Sequence, residues 1–199
     1  MSDRSTGRSG PRPDASALAN KLTELGYIEL FHRQGEEAID SVWDEPGAPE
    51  ILDDLAVDQQ ASRLANFLAA EILFYKRQDY PAEHAKRQLA SVYATALARD
   101  FTQMANPWGL PGKLDGPAGG HFVALGEAAV PELANLMDDE TERLYVGSKE
   151  ATLGNSFHYR VKDFAAFFMS NIRRIPFEVH EDPEARDEEI ERLRESLGL

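Results

Sequence analysis

The sequence predicts an all-α domain built from several helices, and three observations carry that expectation. Apolar residues recur at steps of three and four along most of the chain, the period of a helix that buries one face. Proline and glycine gather in a few stretches, 45–49 and 106–120 above all, where they act as punctuation between helices. At 199 residues the chain is long enough for one domain that buries about two thirds of its unfolded surface.

Residues 1–14 are dominated by Ser, Gly, Arg and Pro and bury too little to offset ordering, so they read as a flexible tail. From Ser16 the apolar positions Leu18, Leu22 and Leu25, then Ile28, Leu30 and Phe31, follow helical spacing, with Gly26 breaking or bending the run. A short helix is expected over 35–43 and a turn over 45–49. Leu64, Phe67, Leu68, Ile72 and Tyr75 form the next stripe, which must end by Tyr80 because a residue before proline avoids the α region. Leu89, Val92, Tyr93, Ala96, Leu97 and Phe101 give the longest clean stripe. These two helices are expected to pack as an antiparallel pair across the 79–81 connection.

Residues 106–120 read as an irregular loop that joins the two halves, 15–105 and 121–199, of one α-helical domain. Trp108 within it either pins the loop by burying its ring or forms a binding hot spot. Beyond it a helix is expected over 124–137, where Pro131 either kinks it or marks the first turn of a helix starting near Ala129. Residues 141–157 read as a second long loop, with a short strand or turn at 144–146. Tyr159 to Ile172 resumes a helix with Val161, Phe164, Ala165, Phe168 and Ile172 on one face. Asp182 is an N-cap followed by Pro183 at the first helical position, and Glu184, Asp187, Glu188 and Glu189 crowd the turns where the helix dipole favours negative charge. That last helix docks through Ile190, Leu193 and Leu197, pairs Glu188 with Arg192, and ends at Gly198.

Composition narrows the function. Cysteine is absent, which removes disulfides, thiolate metal sites and cysteine nucleophiles. Thirty-five acidic against 21 basic residues leave a formal net charge of -14, which repels nucleic acid and anionic lipid and suits a basic protein partner, or simply keeps the chain soluble. No window reaches the ~18 apolar residues of a membrane span, and the N-terminus lacks the apolar centre of a secretory signal. The expectation is a cytoplasmic protein that binds neither nucleic acid nor membrane.

Gly126-Glu-Ala-Ala-Val-Pro-Glu-Leu-Ala-Asn-Leu-Met-Asp-Asp139 resembles the first helix of a HEAT repeat, and 160–172 resembles the second, with Arg160 and the Ala165-Ala166 pair in place. The 47-residue unit fits the roughly 40–47-residue period of that family. Pro49-Glu-Ile-Leu-Asp-Asp-Leu parallels the segment from Pro131, 82 positions on, and Arg63-x-x-x-Phe67 parallels Arg160-x-x-x-Phe164. The proline-to-arginine spacing is 14 residues upstream and 29 downstream, so the second unit carries an insertion that departs from a regular solenoid. The resemblance implies antiparallel helix pairs that bind a partner and carry no catalytic residues, with the insertion at the binding face.

Motifs for chemistry are sparse. His32, His84, His121, His158 and His180 stand singly, with no i, i+4 pair, so no metal or cofactor is expected. Gly116-x-x-Gly119-Gly120 lacks the lysine and spacing of a phosphate loop, and no Gly-x-Ser-x-Gly occurs. Adjacent acidic pairs such as Asp53-Asp54 diverge by ~100° on a helix and read as solvated. Arg160 pairs with Asp163 at i, i+3 or, beside Ser148, Thr152 and Asn155, receives an anionic group. Candidate partner-binding residues are therefore Trp108, Tyr145, Ser148, Thr152, Asn155, His158 and Arg160. Three functions fit: a non-catalytic interaction or adaptor protein; an immunity or inhibitor protein that neutralises a basic toxin or enzyme; and an enzyme whose site lies around His121, His158, Ser148 and Arg160.

Overall fold

Wherever an apolar stripe is closed by a cap, a glycine or a turn, the chain coils. A computed structural model describes residues 15–102, 105–146, 152 and 155–199, and contains nine α-helices and no strand among them. The predicted tail, 1–14, and Ser148 lie outside the described residues. No helix of the described residues is long and apolar enough to cross a membrane.

Helix α1 (Ala15–Ile28) buries Leu18, Leu22 and Tyr27 and kinks at Gly26, whose φ of 67° is a conformation glycine adopts without Cβ strain. A π-turn (Glu29–Arg33) and α2 (Glu36–Trp43) follow, and left-handed Gly47 leads into α3 (Ala48–Val57). The Ser62 hydroxyl accepts from Ala65 N and opens α4 (Arg63–Lys76). This helix stops before Tyr80-Pro81, because Arg77 turns extended and carries its guanidinium to Asp53 and over the Trp43 ring. Helix α5 (Lys86–Arg99) packs on α4. Its end is closed by Arg143, which donates to the Ala98 carbonyl at 2.7 Å and carries the positive charge that a helix C-terminus favours.

The second half differs from expectation in four places. The loop stops at Gly116, and 117–124 form helix α6 (Pro117–Ala124). Gly119 within it and Gly116 at its cap are packing requirements: a Cβ on Gly119 would lie 2.5 Å from the Trp108 carbonyl oxygen, and one on Gly116 would lie 2.0 Å from Gly109 N. The helix expected over 124–137 is reduced to a 3₁₀ turn (Gly126–Ala129) and α7 (Val130–Leu136), with Pro131 in its first turn, where its missing N–H costs nothing. Residues 144–146 form no strand, and the only pairing there is an isolated bridge between Glu142 and Arg160. Helix α8 (Val161–Arg173) does not present one apolar face: every residue from Val161 to Ser170 is buried, because α6, α7 and α9 pack against it.

The terminal helix α9 (Pro183–Leu197) starts as read from its cap, with Asp182 accepting from Ala185 N at 2.9 Å, and ends at left-handed Gly198. Arg192 pairs with Glu189 and not with Glu188, because Glu189 faces the body and also accepts from Glu178 N at 2.8 Å. A row of aromatic contacts runs from Tyr27 through Phe67, Tyr93 and Phe122 to Phe168, crossing from one half of the chain to the other.

Candidate functional site

The residues singled out in the second loop serve the fold first. Trp108 is 1% exposed and stacks on Phe67 with centroids 5.9 Å apart, so its ring pins the 106–116 loop and is not a surface contact. Tyr145 is also buried, and its hydroxyl donates to the Gly109 carbonyl at 2.9 Å, tying the two long loops together. Asn155 turns its side-chain amide on the Tyr145 backbone, accepting from its N–H at 2.9 Å and donating to its carbonyl at 2.8 Å. Thr152 is exposed, and His158, 63% exposed, meets Glu142 at 3.2 Å.

Arg160 has no capacity left for an anionic ligand. Its guanidinium meets Asp163 at 3.0 Å, Asp187 at 2.7 Å and Glu140 at 3.0 Å. Lys162 shares Asp187 and Glu140, and Arg186 reaches Asp163 at 3.3 Å from the other side. Burial works against ionised Asp187, but hydrogen bonds from Arg160 and Lys162 outweigh it and hold its carboxyl below the usual range. This network clamps α9 to α8, and its charges are spent on one another.

A different set of side chains converges around a cleft of about 460 Å³ between α1 with its π-turn, α4 and α6. Each element contributes residues one turn apart, which places them on a common face: Tyr27 and Phe31, Glu71 and Tyr75, Pro117 and His121. Phe74 and His32 complete the lining. The His121 ring lies flat on Phe74, with centroids 4.1 Å apart and planes 4° from parallel.

Glu71 is the polar centre of this cleft, and it is 2% exposed. Its Oε1 accepts from the Tyr93 hydroxyl and meets His121 Nδ1 at 2.7 Å. A carboxylate accepts and does not donate, so Nδ1 of His121 carries a proton toward Glu71, and in the neutral imidazole Nε2 is then a lone-pair acceptor. Burial pushes the Tyr93 and Tyr27 phenols far above their ordinary range, and the Glu71 charge adds to it, so both keep their protons. Among the described residues, Glu71 Oε2, His121 Nε2 and the Tyr27 hydroxyl make no hydrogen bond, and none of the three is sealed away from the cleft. No group of three His, Asp or Glu side chains among the described residues is arranged to hold a metal ion.

Of the described residues considered for an enzymatic site, only His121 belongs to this cleft; His158 pairs with Glu142 and Arg160 with the α8–α9 clamp. Glu71 escaped sequence reasoning, although an acid set between Ala69-Ala70 and Ile72-Leu73 in an apolar run is the one local sign of a buried carboxylate. No protein-family model, curated protein or solved structure matches the chain.

Proposed function

We propose that the chain is a non-catalytic, HEAT-like helical scaffold that binds another protein, a basic one, and that the Glu71 cleft is its recognition site. The observation that carries this reading is the cleft itself: aromatic walls, a buried carboxylate on the floor, and Tyr75, 54% exposed, at the rim. Exposed aromatics beside a concave apolar surface are the anchors of protein interfaces. The net charge of -14 favours encounter with a positive partner. The helices of the two units compared with HEAT pairs also pack on each other, α3 on α4 and α7 on α8. A toxin or enzyme neutralised by the chain is a narrower case of the same reading.

The test uses the tagged full chain as bait in a lysate of its source cells, comparing wild type with Tyr75→Ala at the cleft and His158→Ala at the second loop. Recovery of one protein near equal stoichiometry, lost in Tyr75→Ala and kept in His158→Ala, supports the reading. Loss in His158→Ala alone moves the site to the loop, and identical recovery by all three removes the cleft from recognition.

One observation favours a second reading. A histidine whose tautomer is fixed by a buried carboxylate and whose Nε2 is open has the geometry of a general base. Among the described residues the cleft lining offers no serine, threonine or cysteine to activate, so this reading reduces to proton abstraction from a bound substrate.

A further inference from the structure

Two of the polar groups that the cleft offers a visitor point to one kind of ligand. Glu71 Oε2 of the carboxylate is an acceptor only, and Nε2 of the neutral His121 imidazole is one as well when Nδ1–H donates to Glu71. The Tyr27 hydroxyl keeps its proton and can accept or donate, so the choice of ligand falls to the other two groups. A ligand matching this set must bring donors, and to face a buried carboxylate without leaving it uncompensated it must bring positive charge. The aromatic lining of Phe31, Phe74 and Tyr75 is of the kind that attracts an organic cation. The rim already holds one example: Lys76 stands 5.7 Å over the Tyr75 ring, its own charge compensated by Asp40. An anionic or acceptor-rich ligand would meet like charge and unpaired lone pairs.

From this geometry we infer that the cleft receives a single basic side chain, arginine or lysine, projecting from the protein partner, with its cationic head on Glu71 and its stem between the aromatic walls. The inference rests on the reading of the cleft as a protein-recognition site and adds the chemistry of what enters it. Glu71 and Tyr27 are held at the floor by burial, so the carboxylate is desolvated before the ligand arrives, which makes a charge-assisted contact stronger than it would be on an open surface. His121 positions the carboxylate through Nδ1 and supplies a second acceptor through Nε2.

The experiment titrates the full chain with N-acetyl-arginine methylamide and its uncharged isostere N-acetyl-citrulline methylamide, following the His121 and Tyr27 ring resonances by NMR. The charged compound is expected to shift both resonances saturably and to bind at least about tenfold more tightly than citrulline, a difference of about 1.4 kcal/mol. Glu71→Gln, which keeps shape and polarity, should abolish that preference. If this variant does not fold, Tyr75→Ala at the exposed rim should weaken the charged compound several-fold. Equal affinity for the two compounds, or no saturable shift at His121 and Tyr27, overturns the inference. Saturable arginine binding combined with unchanged partner recovery by Tyr75→Ala would keep the cation site and refute the protein partner, so the two readings fail separately.

Discussion

Replacing Arg186 with methionine removes a cation from the interior while keeping a stem of similar length. Arg186 is 2% exposed, and it donates to the carbonyls of His180 at 3.1 Å, Glu181 at 3.0 Å, Phe157 at 2.8 Å and His158 at 3.3 Å. Its Nε lies 3.3 Å from Asp163, and its guanidinium stands 5.0 Å over the Tyr159 ring. Removing one partner of a buried ion pair costs about 3–5 kcal/mol, chiefly because the other partner is left uncompensated. Asp163 keeps Arg160, through both its guanidinium and its backbone N–H, so the lower end applies. For a chain of this size each kcal/mol lowers the melting temperature by about 2–4 °C, which gives a fall of about 6–12 °C for Arg186→Met. Thermal melts followed by circular dichroism measure it directly. A fall under about 3 °C, the level of an exposed ion pair, would refute the account of α9 as clamped through a buried guanidinium. Asp163→Asn should be less damaging in the Arg186→Met background than in wild type, because the two changes share one contact.

Two neighbouring glycines in α6 should respond in opposite directions. Gly119→Ala forces a Cβ to within 2.5 Å of the Trp108 carbonyl oxygen and 3.0 Å of the Phe168 ring, and should destabilise by about 1–3 kcal/mol despite alanine's better helix propensity. Gly120→Ala meets nothing within 4 Å and should stabilise by up to about 1 kcal/mol, so denaturant melts that rank the two the other way would contradict the packing of α6 on the loop. The carboxyls of Asp187 and Glu189 should set the acid limit of stability. Hydrogen bonds from Arg192 and from Glu178 N hold Glu189 below the usual carboxylate range against the opposing effect of burial, as Arg160 and Lys162 do for Asp187. Their depressed folded values contribute stability that is present above the ordinary carboxylate range and lost as pH falls from that range through the folded values. Glu189→Gln should therefore flatten the acid limb of a stability-against-pH curve, and an unchanged limb would remove Glu189 from it.

Local periodicity carried most of the fold into view. The stripes at 64–75 and 89–101, the break at Gly26 and the cap at Asp182-Pro183 all depend on residues within one or two turns of each other. Helix α6 was hidden because Gly119 and Gly120 look like loop residues, whereas Gly119 is small in order to let Trp108 approach. Helix α8 looked one-sided because Lys162 and Asp163 are polar. Their partners Glu140, Asp187 and Arg186 come from other elements and allow both to be buried. The candidate site was the least legible part for the same reason. Glu71 and His121 are 50 residues apart, and Tyr27 is 44 residues before Glu71, so no window along the chain contains the cleft. Among the loop residues proposed for partner binding, Trp108 and Tyr145 are buried, and their contacts with Phe67 and the Gly109 carbonyl lie within the chain.

The claim on which the functional account turns is that His121 presents an acceptor to the cleft beside the Glu71 carboxylate, and the tautomer of His121 decides it. Long-range proton–nitrogen correlation NMR of the neutral imidazole in the full chain reads the two ring nitrogens separately. The account predicts that the proton resides on Nδ1, against Glu71, with Nε2 showing the shift of an unprotonated nitrogen that moves when an organic cation is added. A proton on Nε2 would place a donor where the account requires an acceptor beside Glu71, and contradict it.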